Sequence, residues 1–128
     1  MGDLANGCQR ELNADIRGSW RVNRLFTKML SLRVIAPTGS RIAIQCRGKR
    51  GACRFGSRVI AKTKRRTTSL TRLFNRGRIL PAGTSITVRV TLRGRIGSYE
   101  RLLTRSKRKL PMVTQRCIDH RQKTVRCA

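Results

Sequence analysis

The chain has 128 residues, of which 31 are Lys or Arg and five are Asp or Glu, so its formal net charge at pH 7 is +26. This length fits one domain with a single hydrophobic core, and a hydrophobic fraction of 38% argues against a disordered chain. The charge favours polyanionic partners, which include nucleic acid, an anionic cell-wall polymer and an acidic membrane surface.

The N-terminal segment, residues 1–18, is predicted to be loosely ordered, because "ANGC" and "RGS" are turn signals. It lacks the basic and apolar regions of a signal peptide. We therefore expect either an intracellular protein or a longer precursor in which Met1 is not the start. Residues 19–128 are predicted to form the folded domain, and no apolar stretch of about 20 residues predicts a membrane span.

Alternating apolar and polar residues predict a series of strands from Trp20 onward. The clearest is "SITVRVTLR", which has the pattern of a half-buried antiparallel strand with a solvated cationic face. The apolar positions predicted to share buried faces are Leu30, Leu32 and Val34, then Ile42, Ile44 and Cys46, then Ile86, Val88, Val90 and Leu92. The segments "RVIAK", "SYERLLTR" and "KTVRC" are weaker strand candidates, and "APTGS" and "LPAGT" are predicted turns.

One segment has a helical spacing. Leu70, Leu73 and Phe74 lie at i, i+3 and i+4, which predicts a short helical turn around residues 69–75. Ser69 or Thr68 is a candidate cap, and "NRG" would end the turn. Short strands separated by Gly and Pro turns favour an all-β, antiparallel sandwich, with a barrel as the alternative.

Four of the five cysteines form two locally spaced pairs, Cys46 with Cys53 and Cys117 with Cys127, which leaves Cys8 unpaired. Pairs that close short loops are typical of disulfides, and disulfides imply an oxidising compartment. The sequence alone leaves the connectivity open, because four cysteines allow three pairings. A zinc site is a weaker alternative, since these spacings are longer than the short Cys-x2–4-Cys knuckles of zinc fingers.

The candidates for catalysis are few. His120 is the one histidine, in the polar segment "CIDHRQK", and it is predicted to be a solvated loop residue. The five acids are scattered and suggest no pair for general acid–base chemistry, and no nucleotide-binding or nucleophile motif is present. We therefore expect a protein that is not an enzyme and that has no catalytic residues, cofactor or metal.

Two cationic runs are the candidates for contact with a polyanion: Lys62, Lys64, Arg65 and Arg66, and Arg105, Lys107, Arg108 and Lys109. Such runs bind phosphates without sequence preference and with a steep dependence on salt. Motifs of sequence-specific nucleic-acid readers are not visible. The structural alternative is that both runs are solvated loops between core segments.

From about residue 30 the chain resembles an immunoglobulin-like or fibronectin-like β-sandwich module of secreted or surface proteins of actinobacteria. The resemblance rests on an ordered set of residues: Pro37 and Gly39, Cys46, Gly48 and Cys53, Leu70, Leu73 and Phe74, Leu80, Gly83 and Thr84, Ile86, Val88, Val90 and Thr91, Gly94, Ile96 and Gly97, and Cys117 and Cys127. It implies an immunoglobulin-like sandwich and a noncatalytic role, and it transfers no active site.

Two functional hypotheses follow from these observations. The first is an extracellular or cell-surface structural or adhesive module, stapled by disulfides, that contacts anionic cell-envelope polymers. The alternative is an intracellular basic protein that binds nucleic acid without sequence specificity. The sequence leaves the oligomeric state and the ligand open.

Overall fold

The computed structural model describes residues 10–11, 14–49, 52–53, 55–74 and 79–127. These residues form strands and one short 3₁₀ turn, which confirms the all-β class and the helical turn. The elements are β1 (Arg10–Glu11), β2 (Asp15–Val22), β3 (Phe26–Ile35), β4 (Arg41–Arg47), β5 (Ser57–Ile60), β6 (Thr67–Ser69), η1 (Thr71–Phe74), β7 (Ile79–Pro81), β8 (Ser85–Thr91), β9 (Arg95–Leu103), β10 (Met112–Ile118) and β11 (Thr124–Val125).

The strands form two sheets. The large sheet has the order β11-β10-β9-β8-β4-β5, and β1 pairs with the beginning of β9 in parallel. In the small sheet β2 pairs with one side of β3, while β6 and β7 pair with the other side. The remaining pairings are antiparallel. The chain changes sheet between β3 and β4, so β3 faces β4 and β8 across the core.

Both sheets contribute to one hydrophobic core. The predicted alternation on β4 and β8 is confirmed, because the apolar positions predicted to be buried on these two strands are each at most 3% exposed. Leu92, which follows the end of β8, is only partly buried. These residues pack with side chains of β3, β7 and β9 in a single cluster. The central side chains are Met29, Leu32, Val34, Ile42, Ile44, Cys46, Leu70, Phe74, Leu80, Ile86, Val88, Val90 and Leu102. The outer face of β8 is therefore left to threonine and arginine.

The predicted burial of Leu30 is wrong. Its side chain is 39% exposed, whereas Met29 is fully buried. The pairing of β2 with β3 shifts register between Ser19 and Trp20, because Ser19 pairs with Ser31 and Trp20 pairs with Met29. Leu30 is the extra residue of this β-bulge, and an extra residue reverses the alternation of the faces on either side of it.

The helical turn η1 is fastened to the small sheet. Leu70 and Phe74 are buried, and Leu73 packs against the core. The Thr71 hydroxyl oxygen accepts a hydrogen bond from the Leu32 amide at 3.0 Å. The predicted cap at Ser69 is present as a long contact of 3.4 Å from the Thr71 amide to the Ser69 hydroxyl. The predicted end of the turn, residues 75–77, lies outside the described residues.

Two disulfides join the local cysteine pairs. Cys46 bonds to Cys53, with a Cα–Cα distance of 5.8 Å, and Cys117 bonds to Cys127, with a Cα–Cα distance of 5.0 Å. The predicted disulfides are therefore present, and of the three pairings that the sequence left open the structure has the local one. In the loop that the first disulfide closes, Gly48 and Lys49 are exposed and Ala52 is buried. Cys8 lies outside the described residues.

The remaining elements extend or qualify the prediction. Strand β2 includes the last residues of the predicted N-terminal segment 1–18, and most of that segment lies outside the described part of the chain. The weaker strand candidates are present as β5, β9 and β11. Strands β6, β7 and β10 lie in segments that were not predicted as strands.

The order of the large sheet is compatible with an immunoglobulin-like topology. Such a sandwich places strands C, F and G in one sheet and strands A, B and E in the other. Here β4, β8 and β9 lie side by side in the large sheet, while β2 and β3 lie in the small sheet. The immunoglobulin-like label itself stays a prediction.

Candidate polyanion-binding surface

The first predicted cationic run lies in the loop that connects β5 to β6. Lys62, Lys64, Arg65 and Arg66 are exposed, whereas Thr63 between them is 6% exposed. The Thr63 amide donates to the Ser40 carbonyl at 2.9 Å, and its carbonyl accepts from the Gly39 amide at 2.9 Å. The threonine therefore holds this loop against the turn between β3 and β4 and leaves the cations in solvent.

The second run lies at the other end of the strands. The loop that connects β9 to β10 is hydrogen-bonded to the hairpin turn between β2 and β3: the Lys107 amide donates to the Arg24 carbonyl at 3.2 Å, and the Arg108 amide donates to the Asn23 carbonyl at 3.3 Å. The first run lies beside the beginning of β4. The second run follows the end of β9, which lies at the level of the other end of β4. The structure therefore does not bring the two predicted runs together. We call the turn 23–25 and the loop 104–111 together the basic tip.

A shallow groove of about 570 Å³ lies on the outer face of the large sheet, where β4, β8 and β9 run side by side. We call it the arginine groove, and it is lined by Arg47, Arg89 and Arg101, by Tyr99, and by Gln45, Gly48, Gly83, Ser85 and Thr87. Strand pairing assembles it, because Arg47 lies opposite Ser85, Thr87 opposite Arg101, and Arg89 opposite Tyr99. Three guanidinium groups from three strands thus share one surface.

The side chains of the groove hold one another in place. The Arg101 guanidinium donates to the Ser85 hydroxyl at 3.0 Å, and the Arg89 guanidinium donates to the Gln122 carbonyl at 2.9 Å. The Arg89 guanidinium carbon also lies 5.8 Å from the centre of the Tyr99 ring, which is a cation–π distance. Each guanidinium has five N–H donors, so these contacts leave further donors for an anion.

The arginine groove continues into the basic tip at Gly83. A second depression, of about 400 Å³, contains Gly83 together with Arg105, Lys107 and Lys109. Gly83 has a φ of 90°, a conformation that favours glycine. Its amide donates to the Thr104 carbonyl at 2.9 Å, and the Thr104 hydroxyl donates to the Pro81 carbonyl at 2.7 Å. The cations of the tip and of the groove therefore border the same rigid turn.

Among the side chains that the structure describes, no acidic one lines the arginine groove. Glu100 precedes Arg101 on β9 and therefore points to the opposite face, where it is 5% exposed and accepts a hydrogen bond from the Gln115 amide group at 2.9 Å. It lies in a separate cleft with Asp15, and burial, with a smaller contribution from the Asp15 charge, raises the pKa of Glu100 above its ordinary value.

This raised pKa has a consequence for stability. A carboxyl whose pKa is raised by folding stabilises the native state most below its unfolded pKa of about 4.3, and that stability is lost as the pH rises through the native pKa. Glu100→Gln removes the titration, so we expect this variant to melt at a higher temperature than wild type at pH 7 and to show a flatter dependence of melting temperature on pH. Thermal melts of both proteins from below about pH 4.3 up to pH 7 measure the effect.

The control for this experiment is Asp119→Asn. Asp119 accepts hydrogen bonds from the backbone amides of Arg121 and Lys123, each at 2.9 Å, and those bonds lower the pKa of this exposed carboxyl. Its contribution to stability is present above the unfolded pKa and is lost as the pH falls, so its removal has the opposite sign. Equal destabilisation by Glu100→Gln at every pH would instead show that the hydrogen bond to Gln115 dominates.

The other residues considered for catalysis or metal binding are the histidine and the cysteines. His120 lies exposed in the turn between β10 and β11, as predicted for a solvated loop residue. Four of the five cysteines are in disulfides. Within the residues that the structure describes, no group of three or more His, Cys, Asp or Glu side chains is arranged to hold a metal ion.

The sequence interpretation missed the arginine groove as a unit. The alternation in "SITVRVTLR" places Arg89 on the solvated face of its strand, but Arg47 and Arg101 become its neighbours only through strand pairing. Contiguous cationic runs in the sequence therefore mark the tip and the β5–β6 loop, but they do not mark the groove.

Comparison with known proteins adds no relative. No family model, no curated protein and no solved structure matches this chain. Among the described residues, no helix is long and apolar enough to cross a membrane.

Proposed function

We propose that this protein is a noncatalytic, extracellular β-sandwich module that binds an anionic cell-envelope polymer through the arginine groove. The observation that carries the proposal is the groove itself, in which Arg47, Arg89 and Arg101 from three strands share one surface with hydroxyl and amide donors and with no acidic side chain. Its shallow, open shape suits an extended chain that lies along the sheet better than a small molecule that must be enclosed.

The chemistry of the groove favours phosphate groups. A guanidinium presents paired N–H donors that match a phosphate, and such charge-assisted bonds are about twice as strong as neutral ones. The hydroxyls of Ser85 and Thr87 add neutral donors between the arginines. The bonds to Ser85 and Gln122 hold two of the arginines before a ligand arrives, which lowers the side-chain entropy that binding costs.

Two observations support the compartment and the architecture. Disulfides persist in oxidising environments and are rare in the cytosol, and this chain has two of them. The resemblance to immunoglobulin-like modules of actinobacterial surface proteins agrees with the order of the large sheet. We therefore propose an immunoglobulin-like architecture and a structural or adhesive role at the cell surface.

The direct test is the double variant Arg89→Ala/Arg101→Ala, with a purified poly(glycerol phosphate) chain as the ligand. Each arginine contributes about 1 kcal/mol, so we expect the Kd at physiological salt to rise about 30-fold. The slope of log Kd against log salt concentration should fall by about two, because two fewer counterions are displaced. Isothermal titration calorimetry over a range of salt concentrations measures both quantities.

The control variant is Arg65→Ala/Arg66→Ala, which removes the same charge from the exposed β5–β6 loop. We expect a weakening of about threefold or less, because neither arginine lines the groove and salt screens a charge that does not contact the polymer. Equal weakening by the two variants would show that net charge and not the groove binds the polymer. Retained binding of duplex DNA at physiological salt, lost on charge reversal of residues 62–66 and 105–109, would support nucleic-acid binding instead.

A further inference from the structure

Large apolar side chains are exposed at the basic tip, where polar turn residues are the usual choice. Leu25 lies in the hairpin turn and is 79% exposed, Leu110 lies in the β9–β10 loop and is 60% exposed, and Met112 follows at 46%. Exposed apolar groups that gather on one surface mark an interaction site more often than single scattered ones do. None of these three residues belongs to the arginine groove, so the polymer proposal does not account for them.

Cations flank these apolar residues in the sequence. Arg24 precedes Leu25, and the segment immediately before Leu110 contains Arg105, Lys107, Arg108 and Lys109. Arg105 is partly buried and the other four cations are exposed. The turn and the loop contain no acidic residue. An apolar centre with a cationic rim is the charge and polarity pattern that complements an anionic bilayer surface.

The basic tip is preformed. The two backbone bonds from Lys107 and Arg108 join the loop to the hairpin turn. The Arg105 guanidinium donates to the Leu110 carbonyl at 2.9 Å, which fixes the backbone at the exposed leucine. Lys107 and Arg108 have φ values of 61° and 60°, in the left-handed region that side-chain-bearing residues seldom adopt. Such a conformation persists where the surrounding structure determines it, so the turn that carries Leu25 and the loop that carries Leu110 are held together through their backbones.

We infer that the basic tip docks this protein on the surface of an anionic lipid bilayer. Leu25 and Leu110 enter the boundary between the headgroups and the acyl chains, while Arg24, Lys107, Arg108 and Lys109 contact headgroup phosphates. The leucines decide between a bilayer and a water-soluble polyanion, because only the bilayer offers an apolar phase to receive them. The inference does not rest on the arginine groove, because none of these leucines and cations lines it.

The test is sedimentation of the protein with vesicles of phosphatidylcholine, with and without 30% phosphatidylglycerol, at physiological salt. We expect binding to the anionic vesicles and at least 100-fold weaker binding to pure phosphatidylcholine. Leu25→Ser/Leu110→Ser should weaken binding to anionic vesicles about 20-fold, for partial burial of two leucines. Arg24→Gln/Lys109→Gln should weaken it about 25-fold, because each cation near the surface is worth about fivefold.

The control is Val59→Ser/Ile79→Ser, which removes two apolar side chains that are each 52% exposed on β5 and β7. It should leave vesicle binding unchanged, and thermal melts of all variants verify that they are folded. Vesicle binding that survives in Leu25→Ser/Leu110→Ser but fails in Arg24→Gln/Lys109→Gln would overturn insertion. Loss of vesicle binding in Arg89→Ala/Arg101→Ala, with the tip variants unaffected, would overturn the tip as the docking surface. Because poly(glycerol phosphate) binding is measured separately, failure of either proposal leaves the other standing.

Discussion

Replacement of both Cys46 and Cys53 by alanine should lower the free energy of unfolding by at least about 2.5 kcal/mol. This disulfide joins residues separated by 7 positions, and closing so short a loop removes about that much entropy from the unfolded chain at room temperature. Cys46 also belongs to the core, where it is 3% exposed, so a loss of packing adds to the cost. Denaturation in urea, followed by circular dichroism, measures the difference.

The matched control is Cys117→Ala/Cys127→Ala, whose disulfide has a sequence separation of 10. The entropic cost is similar, but Cys117 lies outside the core cluster that contains Cys46, and the loop that this disulfide closes contains the exposed strand β11. The additional loss in Cys46→Ala/Cys53→Ala therefore reports the packing around Cys46. If Cys46→Ala/Cys53→Ala had the stability of the wild type, the structural role given to the Cys46–Cys53 disulfide would be contradicted.

The largest single effect is expected for Phe74→Ala, which should lower the free energy of unfolding by about 4 kcal/mol. Phe74 is 1% exposed, and its ring meets the Phe55 ring edge to face, with centroids 5.1 Å apart. It therefore joins η1 to the segment that follows the Cys46–Cys53 disulfide. Domains of this size are stable by about 5–15 kcal/mol, so this loss should lower the melting temperature by about 15 °C, and calorimetry measures it.

Arg72→Ala is the control for this prediction. Arg72 lies on the same 3₁₀ turn, and its side chain is exposed. Its removal should change the free energy of unfolding by less than about 0.5 kcal/mol. A comparable loss in both variants would mean that the turn itself, and not the burial of the Phe74 ring, stabilises the fold.

Local alternation was sufficient to predict the centre of the sandwich. Strands β4 and β8 each have one face in the core and one in solvent, so the burial of Ile44 and Val88 is visible in their own sequence. The spacing of Leu70 and Phe74 in the same way predicted η1. Each of these elements is specified by residues within one short segment.

Features that depend on partners distant in sequence were not predictable in this way. The bulge that exposes Leu30 depends on how β3 pairs with β2. Strand β10 shows no alternation, since Met112 and Val113 are both exposed; it is held by its pairing with β9. The arginine groove is of the same kind, because Arg47 and Arg101 are separated by 54 positions and meet only through β8.

The two cationic loops lie at opposite ends of the strands, and the distance between them determines whether their charges influence each other. Strand β3 has 10 residues, so the sandwich is about 30 Å long at about 3.3 Å per residue. This is several times the Debye length of about 8 Å at physiological ionic strength, so the occupancy of one end has little electrostatic effect on the other. The charges of the basic tip and of the β5–β6 loop therefore act on an approaching anion separately, and not as one combined field.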